Sequence, residues 1–559
     1  MSPDDPLNCL LVQPKFSANN FWNYVDVAKA IGAKTIAPPL GLLTLAALLP
    51  KQWTIELVDL NVREIEPDEW DAADVICVGG MLPQQPGILE IISRANQTGK
   101  YVVVGGPDPT SQPEVYAAAD ALVVGEGEAT VPIWLDSWRG GKPNGTFQAA
   151  DRPDIKTSPI PRFELIDFDD YINAGVQFSR GCPFNCEFCD IIELYGRVPR
   201  SKTTDQILAE LDRLYELGYR GMVDMVDDNF IGNKRQVKPM LTALAKWCRE
   251  KNYPFYFSIE ATMNLADDEE LLELMREADF RFVFMGIETP DPELLALTQK
   301  RVNSMKPIVE RVNTIYEHGL VISAGFILGF DNETEGIGRA MSVCIEDTSI
   351  VIAMVGLLVA LPNTQLARRL QAERRLISTD LQVYTDTERP YRLVTGGSYG
   401  ELKDNQAAGL NFVTTRDRVE IYRDYKRVIE SIFSPQAYME RVLATTRKIK
   451  LRGRHKASGW WQVKRELRGF FRTAVWMTRN RSVRWYYWRN TLRTLLMGSK
   501  KFDVAQTLMA MYMHFEKQAR CVTRELDENI EYSLHQAAFP RMVERSPKAT
   551  RTPESHSVP

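Results

Sequence analysis

Between residues 7 and 135 the hydrophobic positions form short, unbroken, β-branched runs separated by longer periodic stretches. The runs are "LNCLLVQP", "WTIELVD", "DVICVGG", "KYVVVGG" and "ALVVGEG", each ending at Gly, Pro or Asp. Between them lie "PPLGLLTLAALL" and "QPGILEIISRANQTG", which carry helical spacing. Continuous apolar runs that alternate with helices predict a parallel sheet covered on both faces. Five strands predict a doubly wound, flavodoxin-like (Rossmann-like) α/β unit whose ligand lies beyond the carboxyl ends of the strands. Those ends carry Pro14, Asp59, Gly79-Gly80-Met81, Gly105-Gly106-Pro107-Asp108 and Gly125-Glu126-Gly127-Glu128. Small residues at so many strand ends favour a flat, bulky ligand that approaches the backbone closely. No G-x-G-x-x-G opens a helix here, which argues against a dinucleotide.

A Gly-, Pro- and Asp-rich stretch follows from 136 to 170 and reads as a linker. The alternation then resumes. "GVQFS", "GMVDMVDD", "PFYFSIEA", "FVFMGIET", "VISAGFILGF" and "MVGLLVAL" are six further strands with helices between them. Six βα units in this length predict a partial (β/α)6 TIM-like barrel with its chemistry at the carboxyl face. Beyond residue 400 the strand pattern gives way to helices. The expected organisation is 5–140 Rossmann-like, 141–170 linker, 171–395 barrel, 396–540 helical domain and 541–559 disordered tail.

Composition is that of a globular chain of 559 residues, 44% hydrophobic and 25% charged. The charge is unevenly placed. Residues 447–501 hold seventeen Lys and Arg against one acid, Glu466, whereas the whole chain is formally −5. Such asymmetry points to an anionic partner or surface. "GWWQVKRELRGFFRTAVWMTRNRSVRWYYWRNTLRTLL" mixes Arg with aromatics. Three readings stay open: helices that bury their aromatics on the barrel, helices lying in an anionic membrane interface, or a surface for nucleic acid, the last disfavoured. No signal peptide is read at the start and no apolar run reaches the ~20 residues of a membrane span. The expected location is cytoplasmic, with peripheral attachment to the inner membrane as the variant.

Three of the eight cysteines, Cys182, Cys186 and Cys189, fall within "GCPFNCEFCD" at spacing C-x3-C-x2-C. Structural zinc takes four Cys or His ligands, but there is no second C-x2-C and no His before His318. Isolated buried thiols account for Cys9, Cys77, Cys248, Cys344 and Cys521. Three thiolates on one loop suit a [4Fe–4S] cube with one iron left open.

On this loop after the first barrel strand, with Phe188 before the last cysteine, the chain resembles the radical S-adenosylmethionine (SAM) enzymes. The α/β unit ahead of the barrel makes it similar to their cobalamin-binding (B12-dependent) subfamily. "CDIIELYGRVPRSK", "VDDNFIGNK" and "AMVGLLVALPNTQLARRL" resemble a branch with a helical C-terminal extension that includes the hopanoid C-2 methylase. The resemblance implies that Cys182, Cys186 and Cys189 bind the cluster, whose open iron chelates SAM. It also implies that one electron then cleaves SAM to methionine and a 5′-deoxyadenosyl radical. It places Asp227, Asp228, Glu260 and Glu288 at strand ends that contact SAM, and Gly79, Gly80, Gly105, Gly106, Gly125 and Glu126 against cobalamin. The D-x-H-x-x-G motif of many cobalamin domains is absent, so the Rossmann-like unit offers cobalt no histidine. The implied activity is methylation of an unactivated carbon, with a hopanoid-type lipid as leading substrate and a flavodoxin or ferredoxin type of electron donor. Alternatives are a methylase of another substrate such as a tetrapyrrole, a radical SAM enzyme that transfers no methyl group, and a non-catalytic, membrane-associated iron–sulfur protein. No catalytic side chain is assigned.

Overall fold

The computed structural model describes residues 2–16, 23–303, 305–377, 409–451, 453 and 460–538. The expected boundary at 395/396 and the tail 541–559 lie outside the described residues.

The first sheet contains β1 (Asn8–Gln13), β2 (Thr54–Asp59), β3 (Val75–Gly79), β4 (Tyr101–Gly105), β5 (Ala121–Val124) and β6 (Gly145–Gln148). All six are parallel in the order β2-β1-β3-β4-β5-β6. Side chains alternate across a strand, and the unbroken apolar runs therefore feed two cores. Cys9, Leu11, Cys77 and Val103 pack on one face with Trp53, Trp134 and Trp138. Leu10, Val12, Ile76 and Val104 pack on the other with Trp70, Ile88 and Ile92. The sheet exceeds the expected five strands because "GTFQ", in the stretch read as linker, joins its edge. An edge strand has only one neighbour, and only Phe147 of the four is buried, so the apolar signal is too short to mark it.

The second sheet is also parallel. Its strands are β7 (Ala174–Val176), β10 (Gly221–Met225), β11 (Phe255–Glu260), β12 (Phe280–Glu288), β13 (Val321–Leu328) and β14 (Ile352–Leu357), in the order β14-β13-β12-β11-β10-β7. Two short strands, β8 (Ser179–Arg180) and β9 (Arg200–Ser201), pair antiparallel and clip the base of the cysteine loop. The architecture is thus a Rossmann-like unit, a partial (β/α)6 barrel and C-terminal helices.

Those helices are Arg418–Ile432, Pro435–Lys448, Trp460–Arg479, Arg484–Leu495 and Ser499–Ala538. They share one continuous apolar core with the barrel, running from Val176 through Met285 to Tyr425, Tyr512 and Leu526. Phe433 stacks on Phe515 at 5.2 Å and Tyr438 lies 4.9 Å from Tyr512. Helix 460–479 also meets the short helix Val25–Ile31 of the Rossmann-like unit. Gly469 permits that approach, since a Cβ there would lie 2.8 Å from Ile31.

The two sheets face each other by their carboxyl ends, joined by buried ions. Arg180 on β8 donates to Glu126 at 2.8 Å and to both oxygens of Glu128 at 2.8 and 2.9 Å. Arg200 on β9 donates to Glu126 at 2.7 Å. Burial pushes the Glu128 carboxyl up, but the Arg180 hydrogen bonds and charge, with Ser158, outweigh it and hold the group at about 2.

Arg180→Met leaves the Glu128 carboxylate without its cation while Glu126 keeps Arg200, and breaking a buried pair this way costs about 3–5 kcal/mol. Denaturant unfolding of the variant should show a loss of that order near neutral pH. Glu128 titrates below its unfolded range, so the Arg180 contribution is complete above that range and fades as pH falls toward 2. The gap between variant and wild type should therefore narrow in acid; a constant gap would contradict the assignment.

Candidate active site

Three consecutive residues after β10 hold the start of the cysteine loop. Asp227 accepts from the Phe178 amide at 3.0 Å, from the Ser179 amide, and from the Ser179 hydroxyl at 2.5 Å. Asp228 accepts from the Gly181 amide at 2.8 Å. Asn229 donates toward the Cys182 sulfur at 3.8 Å. Gly181 has φ +94, and a Cβ on it would meet the Gly196 carbonyl at 2.8 Å, so the turn into Cys182 demands glycine. The Cys182 amide donates to that same carbonyl at 3.2 Å. Arg152 closes the far side of the loop by donating to the Glu193 and Leu194 carbonyls.

Asp227 and Asp228 were expected at SAM. Both carboxylates accept from the backbone of residues 178–181 and so shape the loop. Glu288 is likewise redirected. It sits at φ +67, a conformation costly for a side-chain-bearing residue, and its carboxylate pairs with the buried Lys300 ammonium. Gly286 gives the pair room, because a Cβ there would lie 2.6 Å from Lys300 Nζ. Lys300 also lies 5.9 Å from the Phe188 ring.

Burial raises all three thiols above their ordinary range, and Lys300 is the cation that opposes this at each of them. Among the described residues no three His, Cys, Asp or Glu side chains converge on one ion position. A cube takes one thiolate per iron and needs no such convergence. Three thiols on one hydrogen-bonded loop beside a buried cation fit a cluster that carries net negative charge.

A cavity of about 1620 Å³ lies between the sheets and continues into the barrel. Gly79, Gly80, Gly105, Gly106, Gly125 and Glu126 all line it. Glu126 does so with its carboxylate held by Arg180 and Arg200, whereas the glycines offer bare backbone. The barrel lumen is lined by alternate residues: Met222, Asp224 and Val226 of β10 and the residue after it, Tyr256, Ser258 and Glu260 of β11, and Phe282 and Phe284 of β12. TIM barrels are normally filled with layers of branched side chains. Here Ser258 and Ser323 leave the centre open.

Glu260 ends β11 and faces the cavity. No hydrogen bond to its carboxylate is formed within the described protein, while Asp224 is held by the Ser258 hydroxyl at 2.5 Å. Burial raises Glu260 to about 8, and the charges of Asp224, Asp228 and Asp227 push the same way. A carboxylate in this position is stabilised by an incoming cation. Of the four acids expected at SAM, Glu260 is thus the one whose carboxylate has no hydrogen-bond partner among the described residues. Sequence reasoning missed Lys300, Asn229 and Arg180. The only signal was the position of Asn229 and Arg180 beside motifs already singled out; nothing in "LTQKR" marks Lys300.

Comparison with known proteins agrees with this geometry. Residues 29–135 match the B12 binding domain, residues 176–341 the Radical SAM superfamily and residues 364–528 a Domain of unknown function (DUF4070). The chain is 40% identical to an uncharacterized methyltransferase of Synechocystis sp. over 94% of each chain. It is 43% identical to the hopanoid C-2 methylase of Rhodopseudomonas palustris over 61% of this chain and 66% of that protein. The fold matches the cobalamin-dependent S-adenosylmethionine radical enzyme OxsB, solved with aqua-cobalamin and SAM, with a TM-score of 0.55 and 15% identity over 96% of this chain and 82% of that one. A [4Fe–4S] cluster, SAM and cobalamin are its cofactors. The chain belongs to the cobalamin-binding radical SAM family and is a cobalamin-dependent methyltransferase.

Proposed function

We propose that this enzyme methylates an unactivated ring carbon of a hopanoid-type polycyclic lipid, at C-2. The observation that carries the reading is the open, largely apolar barrel lumen that joins the cobalamin-side glycines to Glu260. From Tyr256 to Glu260 the lumen runs four residues of strand, about 13 Å at ~3.3 Å per residue. That slot accommodates an elongated fused-ring body edge-on. The 43% identity to a hopanoid C-2 methylase supports the same substrate class.

When bound, the cluster and SAM supply a hydrogen-abstracting radical and cobalamin carries the methyl group to be transferred. The chain's own residues perform the placement. Cys182, Cys186 and Cys189 hold the cluster on the loop clipped by β8 and β9. Glu260 accepts the SAM ammonium or ribose hydroxyls. Lys300, fixed by Glu288, presents positive charge toward the cluster side, where a carboxylate is welcome. The glycine strand ends admit a broad corrin face, and the walls Met222, Phe282 and Phe284 keep water from the reacting carbon. The electron comes from a flavodoxin or ferredoxin type of donor.

A lipid substrate implies work at a membrane surface. No helix among the described residues is long and apolar enough to cross a bilayer. The proposed location is cytoplasmic with peripheral attachment to the anionic inner membrane.

Cys186→Ala should abolish cluster absorbance after reconstitution and the reductant-dependent release of 5′-deoxyadenosine. Retention of both would remove Cys186 from the ligand set. Glu260→Gln should weaken SAM binding about tenfold to a hundredfold, the worth of a hydrogen bond between charged groups. The same variant has a pH signature. Glu260 binds its proton more tightly folded than unfolded, so the wild type loses stability as pH rises from about 4.5 to about 8. Gln cannot ionise, and the variant's melting temperature should climb relative to wild type across that range. Finally, lipid extracts of cells with and without the protein should differ by a methylated polycyclic lipid; a difference confined to tetrapyrroles would replace the substrate.

A further inference from the structure

The cavity does not end at the active site. It passes down the lumen to the amino-terminal ends of the barrel strands, at Gly221, Arg281, Val321 and Ile352. There it is bordered by Arg465 and Glu466 of helix 460–479 and by Lys500, Asp503 and Thr507 of helix 499–538. Glu466, Lys500, Asp503 and Thr507 are exposed, so the lumen has a second, polar mouth. Phe470 and Phe502 lie 6.1 Å apart and join the two helices beside it.

The outer faces of the same helices are apolar and basic. On helix 460–479, Leu467, Phe471 and Val475 recur at every fourth residue and all three are exposed, Phe471 by 62%. Residues three or four apart share one helix face. On helix 484–495 and just after it, Trp485 (69%), Trp488 (41%), Leu492 (63%), Leu495 (58%) and Leu496 (89%) form a second exposed stripe. Interleaved are Arg468, Arg472, Arg479, Arg484 and Arg493, all exposed. The reading in which this segment buries its aromatics on the barrel therefore fails for Phe471, Trp485 and Trp488. Both stripes run close in sequence to residues of the second mouth. Leu467 follows Glu466, and Leu496 precedes Lys500 by four residues.

We infer that this face docks on an anionic bilayer and that an amphiphilic polycyclic substrate enters the barrel directly from the membrane through the amino-terminal mouth. The inference rests on the lipid-substrate reading above. The apolar stripes sink into the interface while the arginines meet lipid phosphates, the arrangement of interfacial helices. Charge complementarity selects the bilayer as occupant: residues 447–501 carry seventeen cations and one acid. At the mouth, Asp503 and Glu466 lie in the field of Arg281 but neither forms a side-chain hydrogen bond within the described protein, so their carboxyls can accept from the hydroxyl or amine head of the amphiphile. Its apolar end then lies up the lumen toward Glu260, so that the methylated carbon is remote from the polar head.

The test uses full-length, cluster-loaded protein under anaerobic conditions. Vesicles of phosphatidylglycerol and phosphatidylcholine carry a diazirine-bearing sterol as probe. The wild type should float with these vesicles, and photolabel should map both to the outer stripes and to lumen peptides containing Met222 or Met511. The double variant Trp485→Glu/Leu496→Glu should lose flotation roughly tenfold, while its 5′-deoxyadenosine release stays unchanged. Thr507→Trp, at the mouth, should still float but lose the lumen label. Absence of flotation at low salt, or binding to an RNA oligomer in place of vesicles, would overturn the docking. Flotation with label only on the outer stripes would overturn the route and leave the substrate reading intact. A labelled lumen with unaltered cellular lipids would uphold the route and remove only the hopanoid-type substrate.

Discussion

The site exists because two largely buried arginines bind two glutamates whose carboxylates are buried, across the junction of the sheets. Arg180 and Arg200 come from the strands that clip the cysteine loop; Glu126 and Glu128 come from the start of the helix after β5. Each charge taken from water alone would be costly, and the attraction repays that only when geometry and hydrogen bonding are complete. Here Ser158 and Gln177 satisfy further positions on Glu128 and Arg180. The network has one good arrangement, and that arrangement puts the carboxyl ends of both sheets around a common space. A dry hydrophobic interface would tolerate sliding; a forked guanidinium shared by two carboxylates tolerates little.

Strands buried on both faces were legible because their sequence is unbroken and β-branched, as in "VICVG" and "YVVVG". The cysteine loop was legible from spacing alone. The edge strand β6 was not, since one neighbour and one buried side chain leave almost no pattern. The acids mark a second kind of illegibility. Asp227, Asp228, Glu260 and Glu288 all stand at strand ends, but sequence does not record which way a carboxylate turns. Three found partners in the protein: backbone amides for Asp227 and Asp228, and Lys300 for Glu288, twelve residues on. That pairing depends on a left-handed backbone at Glu288 and on the missing Cβ of Gly286, neither visible as a pattern. The C-terminal helices were legible as helices, but not the face they present, because Trp and Arg in alternation serve a buried face and an interfacial one equally well.

The acids and Lys300 divide the site electrostatically. On the β10–β11 side Asp224, Asp227 and Asp228 raise the proton affinity of Glu260, whereas Lys300 lowers that of the three cysteine thiols on the other side. An ammonium arriving at the first side would favour the ionised carboxylate there, and a carboxylate at the second would meet a cation. The lumen beneath extends the same logic to stability. Interiors close-pack, and an open volume of this size forgoes the contacts that would otherwise line it. Ser258 and Ser323 in place of branched residues are the local cause. The forgone packing is recovered only when ligands fill the lumen, and a ligand that binds the folded state stabilises it by mass action. The hollow barrel is therefore a reserve of binding free energy, available to hold SAM, corrin and substrate in one register against the cluster loop.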